Sequence, residues 1–281
     1  TMINMFSRDL AWQTLAAEVA AIQELSHPNI AIITRVLQGE DTFAMVQEHP
    51  TTNIFQCYGA AHRATGGATV RNPNDPQPFE TAVVQNWVLD LASAVTFLHG
   101  QDTPLLHRNI RPETCVVDAN NTLKLGELGD SVFLYEEFEA GVNEEYGEKL
   151  YRLFGLRNPG RYSAPETRIA ENKSTSKHKT ALYNEKADIY SMSLVMYFLA
   201  TGCHPFHNDN SATARFALQN GSRPIATNPN FARVDGDVGD RFSTVVCNGW
   251  HPEPWKRPGA AESLEHLAPL VSARFAEASS L

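Results

Sequence analysis

Two short stretches hold most of the side chains able to do chemistry. The first is Leu106-His107-Arg108-Asn109-Ile110-Arg111-Pro112-Glu113-Thr114. The second, Glu127-Leu128-Gly129, begins thirteen residues after Thr114 and follows Leu123-Lys124-Leu125. Arg111 carries a fixed positive charge. Glu127 offers a carboxylate that could ligate a hard cation. Asn109 is a neutral amide and cannot accept a proton as a general base. Cys203-His204 with His207 invites a metal reading, but the spacing is poor for one. The four cysteines, Cys57, Cys115, Cys203 and Cys247, lie far apart without a CxxC pair. That argues against a disulfide framework and a structural zinc site, and makes a reducing, cytosol-like compartment the default expectation.

These stretches need elements to hold them. Val19 and Ile22 fall on one face of a helix expected to run to about Leu25, where His27-Pro28-Asn29 stops it because the residue before proline leaves the helical region. Residues 30–37 and 42–47 read as a hairpin. Residues 49–79 are punctuated by proline and glycine around one short helix near 54–62. A long helix over 80–99 carries Val84, Trp87, Val88, Leu91, Ala94, Val95 and Leu98 at core-facing spacing. Two short strands, 115–117 and 123–125, lie between the two chemical stretches. Residues 135–148 hold six glutamates, which repel one another and predict a solvated loop, with a docking surface as the alternative. Residues 173–179 read as an exposed polar insertion, in which Ser174, Thr175 and Ser176 are candidate phosphorylation sites. Residues 189–200 are nearly all apolar and predict a buried helix. Further helices are expected near 211–219, 241–248 and 260–267.

At 281 residues, with 42% hydrophobic and 20% charged side chains, the chain fits one large domain or two closely packed lobes and excludes wholesale disorder. A net charge of −9 argues against nucleic acid as the main partner, although a local basic patch is compatible with it. The longest apolar run, around 193–200, falls short of the roughly 18–20 residues that span a bilayer, so no membrane partner is expected. No signal peptide is visible, and a start at Thr1 is compatible with a lost N-terminal segment.

Residues 106–114 resemble the protein-kinase catalytic loop, H-R-D-x-K-P-x-N. Glu127-Leu128-Gly129 stands where that family carries D-F-G. Ala164-Pro165-Glu166 matches its A-P-E, Asp188-Ile189-Tyr190-Ser191 resembles its buried Asp-led helix start, and Arg257-Pro258 resembles the late arginine that pairs with the A-P-E glutamate. Glu18, ten positions before Pro28, stands about where the family places its helix glutamate. A single motif of this kind is weak evidence, but six in order over nearly the whole chain are strong.

The resemblance implies an α+β, two-lobed protein-kinase-like fold. Residues 1–49 would form an incomplete N-lobe, with the lysine-bearing strand, the glutamate helix, two further strands and the hinge. Residues 50–281 would form a mainly helical C-lobe carrying the catalytic loop and activation segment. Residues 1–6 resemble the lysine-bearing strand, which implies that the Gly-rich loop before it is absent from this chain. Phosphoryl transfer in the family is mostly positioning and charge neutralisation. Asn4 takes the place of the phosphate-binding lysine, Asn109 that of the proton-accepting aspartate, Arg111 that of the loop lysine, Thr114 that of a metal-ligating asparagine, and Glu127 that of the metal-ligating aspartate. Glu48 and His49, with Glu127, are the doubtful nucleotide contacts. Glu18, Ile22, His107, Leu128, Glu166, Asp188 and Arg257 take scaffold roles, with Ile22, His107 and Leu128 packing between the lobes and Glu166 pairing with Arg257. Residues 201–206 resemble an ordinary loop of the family, which weakens the metal reading of His204.

The expectation is a catalytically degenerate member, a pseudokinase. It would be cytoplasmic, act as a scaffold or interaction module for another protein, have no competent catalytic residue and no metal site, and need no cofactor. An atypical Mg-ATP-binding protein or weak Ser/Thr-type kinase is the alternative, and a kinase disabled by mutagenesis is a third.

Overall fold

The computed structural model describes residues 16, 18–38, 43–47, 52–64, 72–143, 146–154, 156, 160–167 and 180–271. Asn4, Glu48 and His49 lie outside the described residues. So do the strand expected over 1–6, the lobe boundary at 49–50 and the insertion 173–179.

Helix α1 (residues 18–23) buries Val19 and Ile22 and stops before His27-Pro28-Asn29. Strands β1 (Ile33–Gln38) and β2 (Phe43–Gln47) pair antiparallel. Their hairpin is shorter than the expected 30–37 arm because Ile30 is taken by another partner. It bridges Leu125 in parallel, Ala31 N–H donates to Leu125 O at 3.0 Å, and Asn29 Nδ2 donates to Leu123 O at 3.0 Å. The proline-stopped segment is thereby stapled to the strand just before Glu127.

The next elements are β3 (Thr52–Asn53), α2 (Ile54–Ala64) and α3 (Thr81–His99). By length and hydropathy α3 would suffice to cross a membrane. Here it lies in the core against α4 (Lys186–Thr201) and α8 (Ala260–Leu267), with all seven periodic apolar residues buried. Helix α4 is buried almost all round, as its nearly all-apolar sequence requires. It ends at Gly202, whose φ of 68° is the left-handed cap that glycine adopts at least cost.

Helices α5 (Ser211–Gln219), α6 (Pro229–Asp235) and α7 (Arg241–Gly249) complete the helical body. The short α6 was not expected. Its signal is Asn228-Pro229: the Asn228 side chain accepts from the N–H groups of Asn230 and Phe231, and Pro229 opens the first turn. Helices α4 and α7 approach closely at Gly249, where a Cβ would stand 1.9 Å from Ser193 Oγ.

The remaining strands are β4 (Leu105–Leu106), β5 (Cys115–Val117), β6 (Leu123–Leu125), β7 (Val132–Phe133), β8 (Glu139–Val142), β9 (Lys149–Phe154) and β10 (Thr180–Tyr183). Here the solvated-loop expectation for 135–148 is corrected in part: its described residues stay at the surface, but they are not all loop. A 3-10 turn at Glu136–Phe138 leads into β8, which pairs antiparallel with β9, and β9 pairs in turn with β10. Glutamate repulsion is offset by cations that arrive with the sheet. Lys149 Nζ lies 2.9 Å from Glu139, and Lys186 Nζ lies 3.1 Å from Glu148.

Candidate functional site

Two antiparallel strand pairs position the chemical stretches. Residues 107–114 leave β4 and enter β5, while Glu127-Leu128-Gly129 leave β6 and precede β7. Strand β4 pairs with β7, and β5 with β6. Both stretches therefore emerge from paired strands and come to face each other, although eighteen positions separate Asn109 from Glu127.

Asp188, buried in the first turn of α4, fixes the start of the first stretch. Its carboxylate accepts from the N–H of His107 at 2.7 Å and of Arg108 at 2.9 Å, and meets His99 Nε2 at 3.0 Å. Burial pushes this carboxyl up, but the His99 hydrogen bond and the Arg108 peptide N–H are among the contacts that outweigh it and leave Asp188 below its ordinary range. These contacts help hold Arg108 at a φ of 63°, which is costly for a residue with a Cβ.

His107 is fully buried. Its Nε2 meets Gly126 O at 2.8 Å, and its Nδ1 meets Asn109 N–H at 3.2 Å. A carbonyl can only accept and a peptide N–H can only donate, so the ring is the neutral tautomer with hydrogen on Nε2. Burial, which lowers the histidine's affinity for a proton, agrees. Ile22 and Leu128 are buried in the same hydrophobic core.

The positions expected to carry chemistry are closed onto one another. Thr114 is fully buried. Its hydroxyl lies 2.9 Å from both Asn109 O and Arg111 O as acceptors, and accepts from Arg111 N–H at 3.1 Å. Asn109 Nδ2 donates to Glu127 Oε2 over a long 3.4 Å, and Arg111 Nη2 lies 3.6 Å from the same oxygen. Arg111 and Glu127 are 43% and 48% exposed, so this pair is solvent-screened and weak. Glu127 itself has a left-handed backbone, with φ of 60°.

This donor set does not fit a Mg²⁺ ion. Mg²⁺ demands near-octahedral oxygen ligands, whereas Thr114 turns its hydroxyl into the loop and Glu127 offers one carboxylate already flanked by a guanidinium and an amide. His204 places Nδ1 2.7 Å from the Tyr162 hydroxyl.

The scaffold positions behave differently. Glu166 and Arg257 form a bidentate pair with bonds of 2.6 and 3.0 Å. The buried guanidinium also donates to His251 O, Lys186 O and Pro252 O, and lies 4.9 Å from the centre of the Tyr190 ring. Glu18 is half-buried on α1, and burial together with the like charge of Glu137 raises its carboxyl.

Several working residues escaped sequence reasoning. Arg108 Nε donates to Asp130 O at 2.6 Å, and its Nη1 lies 3.3 Å from both Phe154 O and the Tyr183 hydroxyl, so one side chain ties the catalytic-type loop to β9 and β10. Lys186 donates to Arg257 O at 2.7 Å as well as pairing with Glu148. No local pattern signals these contacts, because each joins segments distant in sequence.

Comparison with known proteins agrees with this geometry. The protein kinase domain model matches residues 3–267. The serine/threonine-protein kinases CTR1 and VIK of Arabidopsis thaliana are 24% and 25% identical to this chain, over 90% and 92% of its length. A putative serine/threonine-protein kinase/receptor of Acanthamoeba polyphaga mimivirus is 22% identical over 92% of the chain. The matched regions span 26%, 50% and 13% of those relatives, so the chain corresponds to half or less of each. The α+β fold, the ordered motifs and a family match over nearly the whole length lead to one conclusion: this chain belongs to the protein kinase domain family.

Proposed function

We propose that this kinase-family domain is a pseudokinase, a non-catalytic module that presents a rigid surface to another protein in the cytoplasm, with no need of Mg-ATP, nucleic acid or a membrane. The observation that carries the reading is the closure of the loop. Thr114 spends its hydroxyl on Asn109 O and Arg111 O, Asn109 has no carboxylate, and Arg111 and the Asn109 amide flank Glu127. Phosphoryl transfer depends on aligned nucleotide, metal and base together, and each of those parts is altered here. Asn4, in the lysine position, adds a fifth altered position to Asn109, Arg111, Thr114 and Glu127 at the level of sequence.

A second reading, a weak or atypical Ser/Thr-type kinase, draws on the relatives, which are named as serine/threonine-protein kinases, and on the charges that Arg111 and Glu127 keep.

Radiolabelled phosphate transfer to a generic substrate and to the protein itself separates the two. The parent chain should be inactive. Asn109→Asp alone should stay inactive, because a restored base, worth about 10²–10⁴-fold in rate, needs a bound and aligned nucleotide, and the parts act non-additively. The combined Asn4→Lys, Asn109→Asp, Thr114→Asn, Glu127→Asp variant tests how much is recoverable. Activity in the parent would overturn the pseudokinase reading, and activity in Asn109→Asp alone would favour the second.

A further inference from the structure

Between the 107–114 loop and the turn at residues 160–163 lies a cavity of about 200 Å³. Ligand sites for whole small molecules usually span roughly 300–1,000 Å³, so this one suits a compact head group presented by something larger. Its lining is cationic. Arg108, Arg111 and Arg161 line it with one carboxylate, Glu113, and Asn109 contributes an amide where the family's motif has an aspartate. Even with Glu127, which lies 3.6 Å from Arg111 Nη2 outside the lining, three guanidiniums stand against two carboxylates. His204, also in the wall, adds no charge at neutral pH, because burial and its cationic neighbours push it down to about 4. In a chain of net charge −9, this is a local positive pocket able to concentrate anions.

The wall is also built rather than incidental. Arg161 donates to Pro205 O, Phe206 O and Asp209 O, and the Ser191 hydroxyl donates to Tyr162 O, so the turn is fixed before any ligand arrives. Ser163 Oγ accepts from Gly160 N–H and keeps its own hydrogen to donate. Arg111 Nε is shielded from solvent and has no protein acceptor. A buried donor without a partner is costly unless a ligand or water satisfies it.

We infer that this cavity binds a phosphoryl group carried on a serine or threonine side chain of a partner protein. The inference rests on the non-catalytic reading above and supplies the class of partner. A phosphoryl dianion matches the excess of guanidinium over carboxylate, and charge-assisted bonds to arginine are the strong ones. The small volume favours one phosphorylated side chain over a nucleotide.

Fluorescence anisotropy with a degenerate phosphoserine peptide mixture and its unphosphorylated counterpart tests the inference. Inorganic phosphate serves as competitor, and a phosphotyrosine mixture as the size control. The phosphoserine mixture should bind at least about tenfold more tightly than either other mixture, and phosphate should displace it. Arg111→Gln, at a half-exposed position, and the nearly isosteric Asn109→Asp, which adds a negative charge, should each weaken binding by about tenfold or more while the chain still melts cooperatively. Should one variant misfold, the other keeps the test intact. Equal binding of the unphosphorylated mixture, or unchanged affinity in a folded variant, would overturn the inference. Binding of inorganic phosphate without tighter peptide binding would replace the partner protein with free phosphate and overturn it as well. The transfer assay is run in parallel: phosphate transfer by the parent removes the non-catalytic reading, whereas absence of both transfer and peptide binding removes only this inference.

Discussion

The Glu166–Arg257 anchor and the Arg111–Glu127 contact are both ion pairs within one domain, yet they differ in every physical respect. The anchor is bidentate and buried, and its guanidinium spends its remaining donors on three backbone carbonyls. The loop pair is single, 3.6 Å long and roughly half exposed at both ends. A buried charge without its partner is severely destabilising, so the anchor tolerates little change. A screened surface pair contributes little, so the loop can change its chemistry while the fold persists. The contrast explains how a kinase-family scaffold can stand intact around altered chemical positions.

The largest expected effect tests the anchor. Arg257→Leu should cost about 3–5 kcal/mol, read from urea denaturation, because it strands the Glu166 carboxylate. A loss below about 1 kcal/mol, the size of a surface pair, would erase the distinction between the two regions.

Asp188 comes next. Asp188→Asn weakens the charged acceptor for two peptide N–H groups, at about 1.5–3 kcal/mol. The sign of its pH dependence follows from the lowered carboxyl. The stability it supplies is present above the ordinary value of 3.8 and is lost as pH falls through the lower folded value. Acid unfolding curves of the parent and of Asp188→Asn should therefore converge at low pH. Parallel curves over that range would contradict the lowered carboxyl.

Thr114→Val probes the closed loop from inside. It keeps the shape, removes the hydroxyl from Asn109 O and Arg111 N–H, and should cost about 1 kcal/mol in a denaturation experiment. A loss as large as that of Arg257→Leu would place Thr114 with the anchor rather than with the chemistry.

The smallest stability effect belongs to Arg111→Gln, at about 0–1 kcal/mol. Mg-ATP supplies a companion measurement on the parent. A ligand present at 100 times its Kd stabilises by about 2.7 kcal/mol, so millimolar Mg-ATP should leave the melting temperature nearly unmoved. A metal-dependent rise of several degrees would reopen the chemical region as a nucleotide site.

The sequence by itself determined the elements whose cause is local. The periodic apolar face of α3, the nearly all-apolar run of α4, the breaker at His27-Pro28-Asn29 and the strands β5 and β6 are written in neighbouring residues, where spacing and proline sterics act directly. The order of the kinase-like motifs was legible for the same reason, and it pointed to Glu166 and Arg257 as partners before their geometry was known. Tertiary structure alone decided the rest. Six glutamates predict a solvated loop until Lys149 and Lys186 come within reach and β9 supplies a pairing edge for β8. Arg108 bridges to β9 and β10 only once those strands are in place. Local propensity sets which residues can form a helix or strand, whereas the worth of a charge or a hydroxyl depends on burial and partners, which the folded chain brings together from distant positions.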